Sequence, residues 1–505
     1  MELLFETKPA GFLREVLCAP ISQEETAETI VPDSFPDAER ILDAYGSVVL
    51  RGKDYRSGGV SVSGGIHAGV LYAPEDGTPP RSLHVYIPFT IKLEGDLLSE
   101  NTRVCADCRV RSVDARIMNS RKVMVRVNLC GTVTGYEPAT QELCSYVPSE
   151  DADLQVRASE YPVIRARETA EKGFTMTEEA ELPAGRAPMK ELCKYLASLE
   201  VVDAKMVGSK AVFKGNVLLK LLYLTEDDEL VSWTCQLPFS QYVEMEQEYD
   251  DDEELETAIA LTDLSVEDAN GQGRRLLINL QLLAQCTVIG RDSLEVLEDA
   301  YSLYHDFTPQ WKRLEASGRL DRQNFTETVR TAVQAPVKSI LDVQVYLDDP
   351  AVRQEGEQVI VTLPMTASVL YLDENDEVQG VTARMESACR TEIAETCFCR
   401  PTARLSGEAF AVPSGDGLEI RCTVVFTLDT MTRQGLETLC GGTLGDERLS
   451  SADRPSVILR PADADESLWS LAKRCRTTIE AICAANGLGD ESARPAGMLL
   501  IPIMK

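Results

Sequence analysis

The sequence is short of histidine. Three occur in 505 residues, His67, His84 and His305, and none has an acid or cysteine at a spacing that would orient it as a base or metal ligand. His67 and His84 lie beside Ile66 and Val85 in strand-like runs, which makes them ordinary strand residues. The other marks of catalysis are missing too. Gly64-Gly65 is followed by no Lys-Ser/Thr pair and opens no helix, so it cradles no phosphate. There is no strand-turn nucleophile motif, no H-E-x-x-H and no pair of carboxylates at a defined spacing. These absences predict a protein that is not an enzyme, needs no cofactor and has no catalytic or metal-ligating residues.

Positive charge is scarce as well. Fifty Lys and Arg against 82 Asp and Glu give a formal charge of −32. So acidic a chain repels nucleic acid and anionic membrane surfaces. The excess is uneven: Val457 to Lys505 holds six basic and six acidic residues, which cancel, so the preceding part carries all of it. Long apolar runs are absent. The richest, Leu218–Leu224, is far too short to span a bilayer, and no membrane insertion is expected. Met1–Pro9 has neither a basic leader nor an unbroken apolar stretch, which reads as no signal peptide. The 15 cysteines are odd in number and scattered, with Cys130, Cys286, Cys422 and Cys483 inside apolar runs. They read as buried thiols in a reducing compartment, and the expected location is cytoplasmic. Cys105-Ala-Asp-Cys108 lacks the second pair of a zinc site and the helical setting of a redox motif, while Cys397 and Cys399 share one strand face. Glu244–Glu256 holds nine carboxylates without the turn glycine of a calcium loop, and reads as a solvated edge that blocks strand pairing.

What is present is a repeat. Val70-Leu-Tyr72, Leu221-Leu-Tyr223 and Val369-Leu-Tyr371 place their tyrosines 151 and 148 residues apart. An acidic turn follows each, at Pro74–Gly77, Glu226–Glu229 and Asp373–Glu377. Ahead of each lie an apolar pair spaced by two (Val60/Val62, Ala211/Phe213, Val359/Val361) and a proline, with Pro-to-Tyr separations of 36, 35 and 35 for Pro36, Pro188 and Pro336. Each proline introduces adjacent apolar residues (Ile41-Leu42, Leu192-Cys193, Ile340-Leu341), which predicts a short helix with proline in its first turn. Later alternating runs, such as Val123/Val125/Val127 and Leu276/Ile278/Leu280/Leu282, predict half-buried strands. Val70 to Phe89, and its copy Leu221 to Phe239, read as hairpins. The expected fold is mainly β: three tandem antiparallel β-sandwich-like repeats at 1–148, 149–310 and 322–440, each with a short helix, then a linker at 441–455 and a βααβ module at 456–505. The stretch between repeats two and three, with Tyr301, Tyr304, Phe307 and Trp311, is too aromatic to be a free linker.

In the terminal module, Val457-Ile-Leu459 and Leu499-Leu-Ile501 read as strands flanking two helices, with Thr477 or Thr478 as N-cap and Gly487 as the stop of the second. The order Leu468-Trp-Ser-Leu-Ala472, Thr477-Thr-Ile-Glu-Ala-Ile482, Ala485-Asn-Gly-Leu488 and Leu500-Ile-Pro502 resembles a LysM domain. Tandem repeats of this pattern ending in one LysM resemble the spore-coat (SPOCS) repeat family of endospore-forming Firmicutes. The resemblance implies a cytoplasmic protein on the mother-cell side of the forespore surface, with no catalytic activity. Its implied partner is a SpoIVA-like coat ATPase or another spore-coat protein; the alternative is peptidoglycan glycan held by the LysM. The family groove maps to Asp465, Glu466, Ser467, Leu468, Asn486, Gly487 and Leu488. The LysM Gly-Asp-Thr-Leu block stands here as Asp465-Glu-Ser-Leu468, which loses a glycine that would admit close approach and favours a protein partner over glycan. Lys473, Arg474 and Arg476 on the first helix are candidates to face an acidic partner surface.

Overall fold

A computed structural model describes residues 2–56, 58–146, 153–449, 455–461, 466–489 and 497–503. The first repeat contributes β1 (Glu2–Leu4), β2 (Glu6–Ile30), β3 (Ala38–Arg56), β4 (Gly59–Pro74), β5 (Arg81–Glu94), β6 (Arg103–Asn119) and β7 (Lys122–Ser145). The second contributes β8 (Leu154–Glu181), β9 (Met189–Thr225), β10 (Leu230–Tyr249), β11 (Glu254–Asp268) and β12 (Arg275–Ser302). The third contributes β13 (Phe307–Gln334), β14 (Ser339–Leu347), β15 (Ala351–Glu355), β16 (Gln358–Leu372), β17 (Val378–Glu392), β18 (Cys397–Leu405), β19 (Phe410–Ser414) and β20 (Gly417–Leu444). The terminal module is β21 (Val457–Pro461), α1 (Leu468–Cys475), α2 (Ile479–Asn486) and β22 (Met498–Pro502).

Each repeat folds on one plan. An antiparallel meander, β3-β4-β5 in the first repeat and β14-β16-β17 in the third, packs across an apolar core from a sheet built on two long strands. In the second repeat β9 supplies two meander strands, turning at Gly208 (φ 61°) so that Gly215 sits against the Glu200 carbonyl. The long pairs are β2/β7, β8/β12 and β13/β20, all antiparallel. The alternating runs bury every second residue as their period requires: Val123, Val125 and Val127, or Leu276, Ile278, Leu280 and Leu282.

In the first two repeats the constant spacing has a hydrogen-bond origin. The Tyr72 hydroxyl donates to the Pro36 carbonyl (3.0 Å), and Tyr223 donates to Ala187, just before Pro188 (3.2 Å). The acidic turns close the meander hairpins, with Gly77, Asp228 and Asp376 in the left-handed region at the same position. Glycine and aspartate tolerate that conformation better than most residues.

The predicted short helix in each repeat is absent; among the described residues the only α-helices are α1 and α2. The adjacent apolar residues lie in strands instead. In β3 and β14 a register shift falls between Ile41 and Asp43 and between Ile340 and Asp342. Such a bulge lets consecutive side chains reach different cores. Ile41, Leu192 and Ile340 join the cores of their own repeats. Leu42, Cys193 and Leu341 join a separate cluster with Leu71, Leu222 and Leu370, the middle residues of the three tyrosine motifs. That shared core lies where equivalent positions of the three repeats converge, as they do about a pseudo-threefold axis.

Beyond the sandwiches the long strands continue as three ribbons that pack on one another through Val163, Leu294, Val296 and Leu314, then through Phe5, Cys144, Leu154, Leu297 and Leu439. This assigns structure to segments read as connectors. Residues 311–321 belong to β13, and 441–444 close β20. The ribbon of the second repeat ends in Tyr301 and Leu303, which enter the core of the terminal module with Leu468, Leu471, Ile482 and Ile501.

Candidate docking site

In the terminal module the described groove residues are occupied by structural tasks. Ser467 caps α1, its hydroxyl accepting from the Ser470 N–H (3.1 Å). Leu468 is buried in the module core. Glu466 takes ion pairs from Arg460 (3.0 Å) and Arg474. Thr478 caps α2, and Gly487 ends it in the left-handed region, donating to the Cys483 carbonyl. Leu488 donates to the same carbonyl and packs on the core. Asn486 clamps β22: its amide nitrogen donates to Leu500 O (2.6 Å) and its oxygen accepts from Leu500 N (2.8 Å). Asp465 lies outside the described residues.

The basic cluster is likewise engaged within the chain. Lys473 Nζ contacts both oxygens of Asp299 (2.6 and 2.8 Å), and Arg476 pairs with Asp306 (2.7 Å) while donating to the His305 carbonyl. Arg474 faces Glu466. Asp299 also accepts from Trp469 Nε1 (2.8 Å), and Tyr301 donates to the Thr477 carbonyl (2.7 Å) while its ring meets Trp469 edge to face. The face of α1 that the sequence offers to a partner is therefore seated on the ribbon end. Asp299, Tyr301 and Asp306 were not legible as its counterparts, since they lie some 170 residues away with no motif to mark them.

Two further clusters bear on function. At the convergence of the repeats, Lys194 Nζ bridges Asp43 (2.7 Å) and Asp342 (2.8 Å), and Lys220 pairs with the other oxygen of Asp342 (2.8 Å), all but Lys220 fully buried. Burial opposes ionisation of Asp342, but Lys194 and Lys220 outweigh it and hold the carboxyl down to about 2. Asp43, Lys194 and Asp342 stand 151 and 148 residues apart, the interval of the tyrosines, so the sequence carried the signal. Cys130, Asp348 and Asp349 bring three potential ligand atoms together, yet Asp349 is held by Arg109 (3.1 Å) and Gly131 N (3.2 Å), and Asp348 by Arg111 (2.7 Å). Burial pushes the Cys130 thiol up to about 12, far from a thiolate ligand.

The other singled-out residues resolve as packing. His67 and His84 line a cavity of about 230 Å³ with Tyr45, Tyr86 and Tyr195, and burial lowers both below the usual imidazole range. Cys108 is raised to about 12 and Cys399 to about 11, each by burial. The acidic run is partly answered from the third repeat: Arg319 and Arg322 both pair with Glu254 and Glu256. Among the described residues no helix is long and apolar enough to cross a membrane.

Comparison with known families finds two family models that match segments of the chain. Residues 37–118 and 188–270 match the family model described as "SipL, SPOCS domain", and residues 464–502 match the LysM domain. The third repeat shows the same meander, turn and shared-core positions. No curated protein and no solved structure matches the chain.

Proposed function

This chain carries SipL-type SPOCS domains followed by a LysM domain, and from that premise we propose that it is a non-enzymatic morphogenetic adaptor of the spore envelope. The β repeats are its scaffold, the LysM its docking module, and a SpoIVA-like coat ATPase or another coat protein its partner, on the mother-cell side of the forespore surface. Neither domain belongs to a family known for catalysis. One observation supports the adaptor reading over a glycan anchor: the described residues of the LysM groove are spent on caps, core and internal ion pairs. A sugar-binding groove needs free polar groups to fix its ligand. The test uses the full-length chain in two assays. It is expected to co-precipitate with a purified SpoIVA-like ATPase and to stay in solution with purified peptidoglycan. Sedimentation with peptidoglycan and no capture of the ATPase would replace the adaptor with a wall anchor.

A further inference from the structure

The LysM sheet has two faces. Ile458, Leu499 and Ile501 turn inward to the helices. The outer face carries no polar counterpart: Val457 is 47% exposed, Leu459 63%, Met498 57% and Leu500 38%. Leu459 pairs directly with Leu500, and Val457 and Met498, each two positions earlier in its strand, flank that pair on either side, so the four form one contiguous patch. Solvent-facing strand positions are ordinarily polar, and four aliphatic side chains in a module this small mark an interaction surface.

The surroundings restrict what covers it. Among the described residues every cation of the module is already ion-paired, Arg460 and Arg474 with Glu466, Lys473 with Asp299 and Arg476 with Asp306. The described part of the module therefore offers no unpaired positive charge to an acidic partner. It is neutral in sum and attached to a body of −32, so an approaching surface meets a negative field that draws in cations. The shared negative charge opposes a second copy as the occupant. Strand addition at Leu500 is closed off, because Asn486 already satisfies both backbone groups of that residue.

We propose that Val457, Leu459, Met498 and Leu500 form a docking face for one amphipathic, net-basic segment of a partner protein. This rests on the adaptor reading and names the chemistry that the LysM recognises. The test measures fluorescence anisotropy with the full-length chain at 150 mM salt, using two labelled 18-residue probes. One is an amphipathic Leu/Lys helix, the other its Leu/Glu counterpart. The double variant Leu459→Asn/Met498→Asn keeps the net charge, and Val457→Ser/Leu500→Ser provides a second check should the first pair disturb folding. The Leu/Lys probe is expected to bind the wild type at least tenfold more tightly than either variant, and the Leu/Glu probe not to bind. Equal affinity for wild type and both folded variants would show that charge alone attracts the probe and would overturn the docking face. Preference for Leu/Glu would overturn the basic assignment. Concentration-dependent dimers in sedimentation velocity, abolished in the variants, would give the face to a second copy. If the variants capture the coat ATPase as well as wild type does, the face is refuted while the adaptor stands; if wild type captures none, the adaptor reading itself fails.

Discussion

At the scale of single residues, the buried quartet where the repeats converge is the most consequential feature. Two carboxylates, Asp43 and Asp342, are balanced by Lys194 and Lys220, with Ser368 donating to the second oxygen of Asp43 (2.6 Å). Removing one member leaves an uncompensated buried charge, which costs about 3–5 kcal/mol, whereas removing a neutral pair costs far less. Lys194→Met is therefore expected to lower the unfolding free energy by that amount in urea titrations. Asp43→Asn combined with Lys194→Met, which keeps the Asp342–Lys220 pair, is expected to recover at least half of it. Equal losses in the two variants would mean that the quartet is not electrostatically coupled. The same cluster sets an acid limit. The folded-state value of Asp342, about 2, lies below the ordinary 3.8 of an unfolded aspartate. Between those values the unfolded chain binds more protons, so this contribution is present above about pH 4 and fades as pH falls toward 2. Acid titration of Asp342→Asn, followed by circular dichroism, is expected to show a shallower stability loss across that window than wild type.

At the scale of strands, the alternating runs and the tyrosine hairpins were legible because period-two burial is a local property of sequence. The helices assigned after Pro36, Pro188 and Pro336 were not present, and the reason is specific. Adjacent apolar residues such as Ile41-Leu42 mimic the start of a helical stripe, but here they serve two cores separated by a bulge. Only the second core, built from three segments about 150 residues apart, distinguishes the two meanings, and no local window contains it. The axial charges went unseen for a related reason: a search for apolar periodicity passes over Asp and Lys even when they recur at the repeat interval. Gly380 gives this level its test. It lies in β17 where that strand passes β3 of the first repeat, and a methyl there would overlap the Leu42 carbonyl. Backbone cannot yield as a flexible side chain does, so Gly380→Ala forces the first and third repeats apart. The expected cost is about 1–3 kcal/mol by denaturant titration, with faster amide exchange in β3 and β17. Unchanged exchange there would mean that the two repeats separate without penalty.

At the scale of the molecule, three sandwiches share one core, their long strands form a bundle of ribbons, and the LysM sits on the end of one ribbon. The caps of α2 and the module's strand order could be read from sequence, but its seat could not, because Asp299 and Asp306 belong to the second repeat. That seat decides which face is free: α1 is covered and the outer sheet is open. The contact combines the apolar packing of Tyr301 and Leu303 with charged hydrogen bonds, Asp299 serving Trp469 and Lys473 together. Hydrogen bonds to charged groups contribute about 1.5–3 kcal/mol each when partly buried. These groups remain partly open to solvent, with Asp299 24% and Lys473 45% exposed, so salt screens them. Asp299→Ala is expected to weaken the seating by about 2 kcal/mol, read as faster amide exchange over 468–475 while β13 and β20 keep their protection. Raising the salt from about 0.1 to about 1 M, which shortens the screening length from ~10 to ~3 Å, should move wild type toward the variant and leave the variant nearly unchanged. Equal protection of α1 in both proteins at both salt concentrations would show that the module is held by its apolar contacts with Tyr301 and Leu303 alone. The charged pairs would then contribute nothing to which face the LysM presents.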